Sequence, residues 1–297
     1  MKESIVICNT GSSTLSKIDV GTLEIETLDL SLEEKEIGPH GLSLYDKKIL
    51  VANNYSNTIS LIDIDKFKEE ENIYIGAHPN DLATYNNKLY VLCGEANSLM
   101  IYDLFKRDID LELPMGVFPH SIVLFHERNI AFISNMGDDT ISIIDCIENK
   151  EIKKIRCNKY PTKIAISNDR KYLYICESYI GYAASGSISI MSLEDLSLKA
   201  SIEVGKGPVD FWEEEGYIYV SNFVEGSISV VNINKLKEES KIFISGMPRG
   251  VIKFNEKIFV GDYLNGNLKV IDLKGRIIKN IAIGKEPNAM LLIKNLH

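Results

Sequence analysis

A proline recurs along this chain at nearly constant intervals, and that recurrence restricts the fold more than any other feature. Pro39, Pro79, Pro119, Pro161, Pro208, Pro248 and Pro287 are separated by 40, 40, 42, 47, 40 and 39 residues. Only Pro114 falls outside the series. Each of the seven follows a short polar or glycine-containing turn and precedes an apolar run, such as HGLSLY after Pro39 or HSIVLF after Pro119. Periods of this size are the mark of repeat architectures, in which each unit is one supersecondary element.

Each unit contains three further runs. A second run reads KILVAN (48–53), NIAFISN (129–135) or YIYVSN (217–222), and a third reads TISLID, TISIID or SISVVN. A fourth, more charged segment closes the unit. Apolar and β-branched residues alternate within these runs, as half-buried strands require, and helical periodicity is essentially absent. Four short antiparallel strands per unit of about 40 residues make a propeller blade. The last unit holds one strand after Pro287, and the chain begins with the missing three: SIVICN, TLSKID and IETLDL. The sequence therefore predicts an all-β, seven-bladed β-propeller in one domain over residues 1–297. Blade one is expected to be composite, built from about 1–31 and about 284–297. A β-sandwich or β-helix does not predict this split repeat.

Composition sharpens the class. The net charge of −9 argues against a nucleic-acid partner, since no broad cationic surface is implied. No apolar run approaches the roughly 20 residues needed to span a bilayer. The N-terminus lacks the pattern of a signal peptide. Cys8, Cys93, Cys146, Cys157 and Cys176 are odd in number and contain no Cys-x-x-Cys pair, against a disulfide framework or a compact zinc site. A cytoplasmic setting with reduced thiols is the expectation.

The second-strand endings LVAN (50–53), FISN (132–135) and YVSN (219–222), each followed by ISLID, ISIID or ISVVN, resemble the YVTN-type β-propeller repeat family across essentially the whole chain. The resemblance implies a seven-bladed propeller, often a binding or scaffold module. Related seven-bladed proteins include lactonases and a lyase that opens cyclic lactone antibiotics, so it also admits an enzyme. Cys93, Glu177 and Asp262 depart from the motif's asparagine. The Trp-Asp and Gly-His marks of WD40 repeats are missing, and the single tryptophan excludes the repeated Trp motif of quinone-binding propellers.

The prolines and the loops after the second strands are expected at one end of the propeller. The third residue after each proline is always large and apolar, and is expected to pack between blades. By the period-two rule the second and fourth share the opposite direction, toward a central channel. This marks Asp81, Lys163, Asp210 and Trp212 as ligand-binding candidates, with Trp212 as a plug or pocket floor. Tyr55, Phe223 and Tyr263 follow second strands and would form an aromatic rim. Tyr179 and Tyr182 belong to the long loop 178–186, a candidate lid or contact surface.

His40, His120, Glu177, Arg249 and Asp262 are the catalytic candidates if the protein is an enzyme. Arg249 would polarise an oxyanion while a histidine or carboxylate moves a proton. Glu177 and Asp262 equally suit structural pairing with Lys163 or Arg249. No cofactor is evident. A divalent metal would need His40, His78 and His120 to gather, and no ligand motif supports one. The charge runs Glu33-Glu34-Lys35-Glu36, Lys68-Glu69-Glu70-Glu71 and Lys237-Glu238-Glu239 read as solvated outer edges, and Glu213-Glu214-Glu215 as a solvated turn. The expected function is noncatalytic binding of a protein, peptide or small polar ligand at the proline-bearing face. The alternative is a cytosolic lactonase- or lyase-like enzyme acting on a small polar substrate at the channel mouth.

Overall fold

A computed structural model describes residues 3–30, 35–76 and 78–294. Glu33 and Glu34, and the extreme ends of the composite blade, lie outside the described residues. The described residues form seven four-stranded antiparallel sheets arranged as the blades of a propeller. Six blades are continuous in sequence. In blade one the C-terminal strand Pro287–Ile293 pairs antiparallel with Ser4–Asn9, which closes the ring. Closure removes the sheet edges that an open ring would expose.

Each post-proline strand is the innermost of its blade, and the second and third strands form the buried middle. The third residue after proline packs as its apolar character predicts. Leu82 of blade three, for example, joins Leu50 and Ala52 of blade two, and Phe211 of blade six joins Tyr174 and Cys176 of blade five. The cores therefore lie between adjacent blades. The outer strands Lys68–Tyr74 and Lys237–Phe243 carry their charge runs at the periphery, with ion pairs such as Lys48–Glu70 at 2.8 Å.

The Glu213–Glu215 run is more than a solvated turn. Glu213 accepts the Asn168 N–H at 2.7 Å, Glu214 accepts the Trp212 Nε1–H at 3.1 Å, and Glu215 pairs at 2.5 Å with the buried Lys253.

One backbone feature repeats in every blade. Between inner and second strands the register slips just after the proline: Pro39 faces Asn53, but Gly41 faces Ala52. The same extra residue appears after the other six prolines. These are β-bulges, which re-aim a side chain and bend the strand. In blade two the inner strand comes so close to its neighbour that glycine is required at position 41, since a Cβ there would stand 2.5 Å from the Asn80 carbonyl oxygen.

Candidate functional site

The bulges decide what the centre of the ring contains. Strict alternation would aim the first residue after proline away from the channel, together with the third. With the extra residue, the first position comes to border the cavity in all seven blades. The Thr162 hydroxyl is nevertheless spent between blades, donating to Cys176 O at 3.3 Å and Pro208 O at 3.4 Å, and Asn80 Oδ1 accepts from Asn54 Nδ2 at 2.7 Å. Asn288, His40, Asn80, His120, Thr162, Val209 and Arg249, in blade order, line a cavity of about 640 Å³. Asp81, Lys163 and Asp210, from the second position, line the next layer, as expected. Of the fourth-position residues only Ala165 and Trp212 reach the cavity. Trp212, four residues along the strand from Pro208 and toward the opposite end, is partly buried against the apolar clusters on both sides of blade seven.

A belt of hydrogen bonds joins neighbouring blades at the level of the first position. His40 Nδ1 donates to Asn80 O at 2.8 Å, and His120 Nδ1 donates to Thr162 O at 2.6 Å. Arg249 Nε donates to Asn288 Oδ1 at 2.7 Å, and Thr10 Oγ1 donates to Pro39 O at 2.7 Å. The His40 and His120 rings meet edge to face, with centroids 6.1 Å apart. Burial, followed by the charge of Arg249, lowers the His40 pKa to about 3. Burial likewise lowers that of His120 to about 4, against the pull of its bond to Thr162. Both rings are therefore neutral at neutral pH.

One layer deeper, the carboxylates staple inner strands together. Asp81 Oδ2 accepts the Ile122 N–H of the next blade at 3.2 Å, and Asp210 Oδ2 accepts the Val251 N–H of its next blade at 3.2 Å. Burial raises both carboxyl groups above their usual range, although Lys163 and these amides pull the other way. Burial also opposes the charge on Lys163, but Asp81 and Asp210 outweigh it and hold the ammonium pKa above its ordinary value.

The rim is aromatic over part of its circumference. Tyr55 and Tyr263 line the mouth. Phe223 stands behind Tyr263, ring centroids 5.5 Å apart, and the Arg249 Cζ lies 5.5 Å from the Tyr263 centroid and 6.0 Å from that of Phe223.

Several predicted site residues lie elsewhere. Glu177 is fully buried within blade five, where it accepts bonds from Asn158 N, Asn158 Nδ2, Ser187 Oγ and Ser189 Oγ at 2.6 to 2.9 Å. Asp262 pairs with Lys269 inside blade seven, not with Arg249. Neither carboxylate lines the cavity, so the five-residue catalytic set reduces to His40, His120 and Arg249. Tyr179 and Tyr182 cluster with Tyr160 outside the cavity, and it is Ile180 of the same loop that lines it. His78 lies away from the cavity lining, its Nε2 3.4 Å from Glu95. Among the described residues no group of three His, Cys, Asp or Glu side chains is gathered to hold a metal, so the three candidate histidines do not form a ligand set. All five cysteines are unpaired. No helix among the described residues is long and apolar enough to cross a membrane.

Sequence reasoning missed Asn80, Thr162, Val209 and Asn288. Their signal lay in the constant offset from proline, but only the register slip brings that position to the edge of the cavity.

No family model matches the chain, and no curated protein matches it. Solved structures do. A functionally unknown protein from Desulfotomaculum acetoxidans DSM 771 superposes with a TM-score of 0.82 at 14% identity, over 98% of this chain and 99% of that one. A candidate 6-phosphogluconolactonase from Bacteroides fragilis NCTC 9343 has a TM-score of 0.79 at 14% identity, over 99% and 98%. Virginiamycin B lyase from Staphylococcus aureus has a TM-score of 0.70 at 16% identity, over 86% and 87%. At these identities the likeness is one of fold.

Proposed function

We propose that this propeller binds a small polar molecule in its central cavity, admitted from the face that carries the prolines. The observation that carries this reading is the convergence of the first post-proline residue of all seven blades on one cavity of about 640 Å³. That volume lies within the range of small-molecule sites. A few polar groups from different strands, held by a rigid closed scaffold, suit orientation and selection of such a ligand. The five unpaired cysteines support a cytoplasmic setting as part of the same proposal.

Trp212 supplies the test, because it is the only tryptophan and it lines the cavity. A broad screen of small metabolites followed by tryptophan fluorescence is expected to find compounds that shift or quench the emission saturably. Replacing loop 178–186 with a Gly-Ser turn tests the entry face by changing the association rate. Absence of any saturable response across the screen rejects the reading.

A second reading, a lactonase- or lyase-like enzyme, is favoured by one observation. His40 and His120 are neutral rings beside Arg249, so a proton acceptor and an oxyanion stabiliser share one mouth. Turnover of a lactone panel that disappears in both His40→Gln and His120→Gln would support it. No turnover, alongside saturable binding, leaves the binding role.

A further inference from the structure

The cavity mouth presents a specific set of unspent hydrogen-bonding groups. Arg249 commits only Nε to the protein, through Asn288. Among the described residues, nothing accepts from its two terminal nitrogens or lies within ion-pair distance of them. The Phe223 and Tyr263 rings and the Asn288 bond fix the guanidinium, so its fork is oriented with donors available. His40 and His120 have the opposite character. A carbonyl oxygen can only accept, so the bonds to Asn80 O and Thr162 O place each ring's proton on Nδ1. Each neutral ring then offers an acceptor at Nε2. The layer below is already engaged: Asp81 and Asp210 hold backbone N–H groups and flank Lys163.

We infer that the cavity takes a small carboxylate that carries its own hydrogen-bond donor beside the acid, an α-hydroxy or α-amino acid. The carboxylate sits on the Arg249 fork, and the neighbouring O–H or N–H donates to a histidine Nε2. This rests on the cavity-binding reading above and narrows its ligand. A partly desolvated guanidinium favours an anion, and burial already draws Arg249 below its ordinary pKa even though Tyr263, Asp210 and Glu286 oppose that shift. A ligand without a donor leaves the imidazole nitrogen beside it unpaired once the ligand displaces water, and sites built to pair a donor discriminate strongly against analogues that lack it. Glu286, also on the mouth, supplies an added attraction for the ammonium of an amino acid.

The experiment compares matched acids on the unaltered full chain by titration calorimetry and Trp212 fluorescence. The probes are lactate, alanine and propionate; malate, aspartate and succinate; citrate and tricarballylate; and malamide, which lacks the anion. In at least one series the hydroxy or amino acid is expected to bind about tenfold or more tightly than the parent acid, and malate about tenfold or more tightly than malamide. The hydroxy and amino arms tell the two ligand sources apart. Arg249→Gln is expected to abolish the difference between acid and amide, and Arg249→Lys to keep part of it. The ligand series needs no variant, so a misfolded one does not block the test. Equal binding of parent acids, amides and donor-bearing acids overturns the ligand class while the cavity reading stands. Absence of binding by every probe also overturns the class, and the cavity reading is then judged by the broader metabolite screen.

Discussion

Lys269 Nζ lies 2.7 Å from Asp262 Oδ2, and both side chains are almost fully buried, at 5% and 1% exposure. In four other blades the same two positions hold an asparagine and a serine: Asn9–Ser16, Asn53–Ser60, Asn135–Ser142 and Asn222–Ser229, bonded at 2.7 to 2.9 Å. Blade seven thus exchanges a neutral hydrogen bond for an ion pair at a fixed place in the fold. Asp262 also accepts from Met247 N at 3.1 Å and Asn265 Nδ2 at 2.8 Å. Burial works against its charge, but Lys269 and these donors hold its pKa below the usual carboxylate range.

Removing one partner is therefore expected to cost far more than removing both. Asp262→Asn leaves the Lys269 ammonium buried without a counter-charge and should lower unfolding stability by about 3–5 kcal/mol. The double change Asp262→Asn with Lys269→Ser restores the pattern of the other blades and should recover at least half of that loss. Urea denaturation of the three proteins decides; a double variant as unstable as the single one would show that the pair is not interchangeable with the motif.

Glu177 offers a second stability test with a functional control. Glu177→Ala strands the donors of Asn158, Ser187 and Ser189, and a loss of about 3 kcal/mol is expected from leaving several buried groups unpaired. Ligand affinity measured on the folded fraction should be unchanged, because the side chain does not line the cavity. A selective loss of affinity would return Glu177 to the site.

The two cavity histidines set the acid limb of stability. Their folded values, about 3 for His40 and about 4 for His120, lie below that of an unfolded histidine, near 6.5. Above about pH 6.5 both states are neutral. Below it the unfolded chain binds protons that the native state refuses, so stability falls by up to about 1.4 kcal/mol per pH unit per histidine. The loss levels off once the folded values are passed. Asp81 and Asp210, raised by burial, act in the opposite sense where unfolded carboxylates titrate. In His120→Gln the slope of stability against pH between about 6.5 and about 4.5 should be visibly shallower. An unchanged slope would show that His120 titrates normally in the folded protein.

Thiol chemistry reports on the blades. Cys8, Cys93, Cys146 and Cys176 are buried, and burial raises the thiol pKa of Cys93 and Cys146 to about 12. A disulfide reagent at neutral pH should modify the native protein slowly and only at Cys157, which is partly exposed, and all five thiols after denaturation. Rapid modification of two or more native thiols would mean that a blade opens locally.

The fold was legible because its punctuation is covalent. A proline at a nearly fixed interval marks the start of each inner strand, and alternation within the runs does the rest. The site was legible only in part. Alternation correctly places Asp81, Lys163 and Asp210 on the channel, but it cannot register a one-residue slip. That Asn80, Thr162, Val209 and Asn288 border the cavity was therefore hidden. Glu177 and Asp262 drew attention as carboxylates in place of amides, yet each answers to its own blade. For Asp262 the sign was present: Lys269 stands seven residues on, where four other blades have serine. For Glu177 the sign was obscured because the longer loop moves its serine partner to twelve residues on.

The bulge after each proline ties the lining of the cavity to the joints between the blades. The residue beside the slip serves two structures at once: His40, His120 and Arg249 border the cavity and also bond the neighbouring blade. Read around the axis, the inner wall is a word of seven letters, Asn-His-Asn-His-Thr-Val-Arg, one written by each blade. Altering a single letter therefore touches both the opening and a joint of the ring, so every variant of the inner wall has to be weighed for the strength of the closure as well as for the chemistry of the mouth.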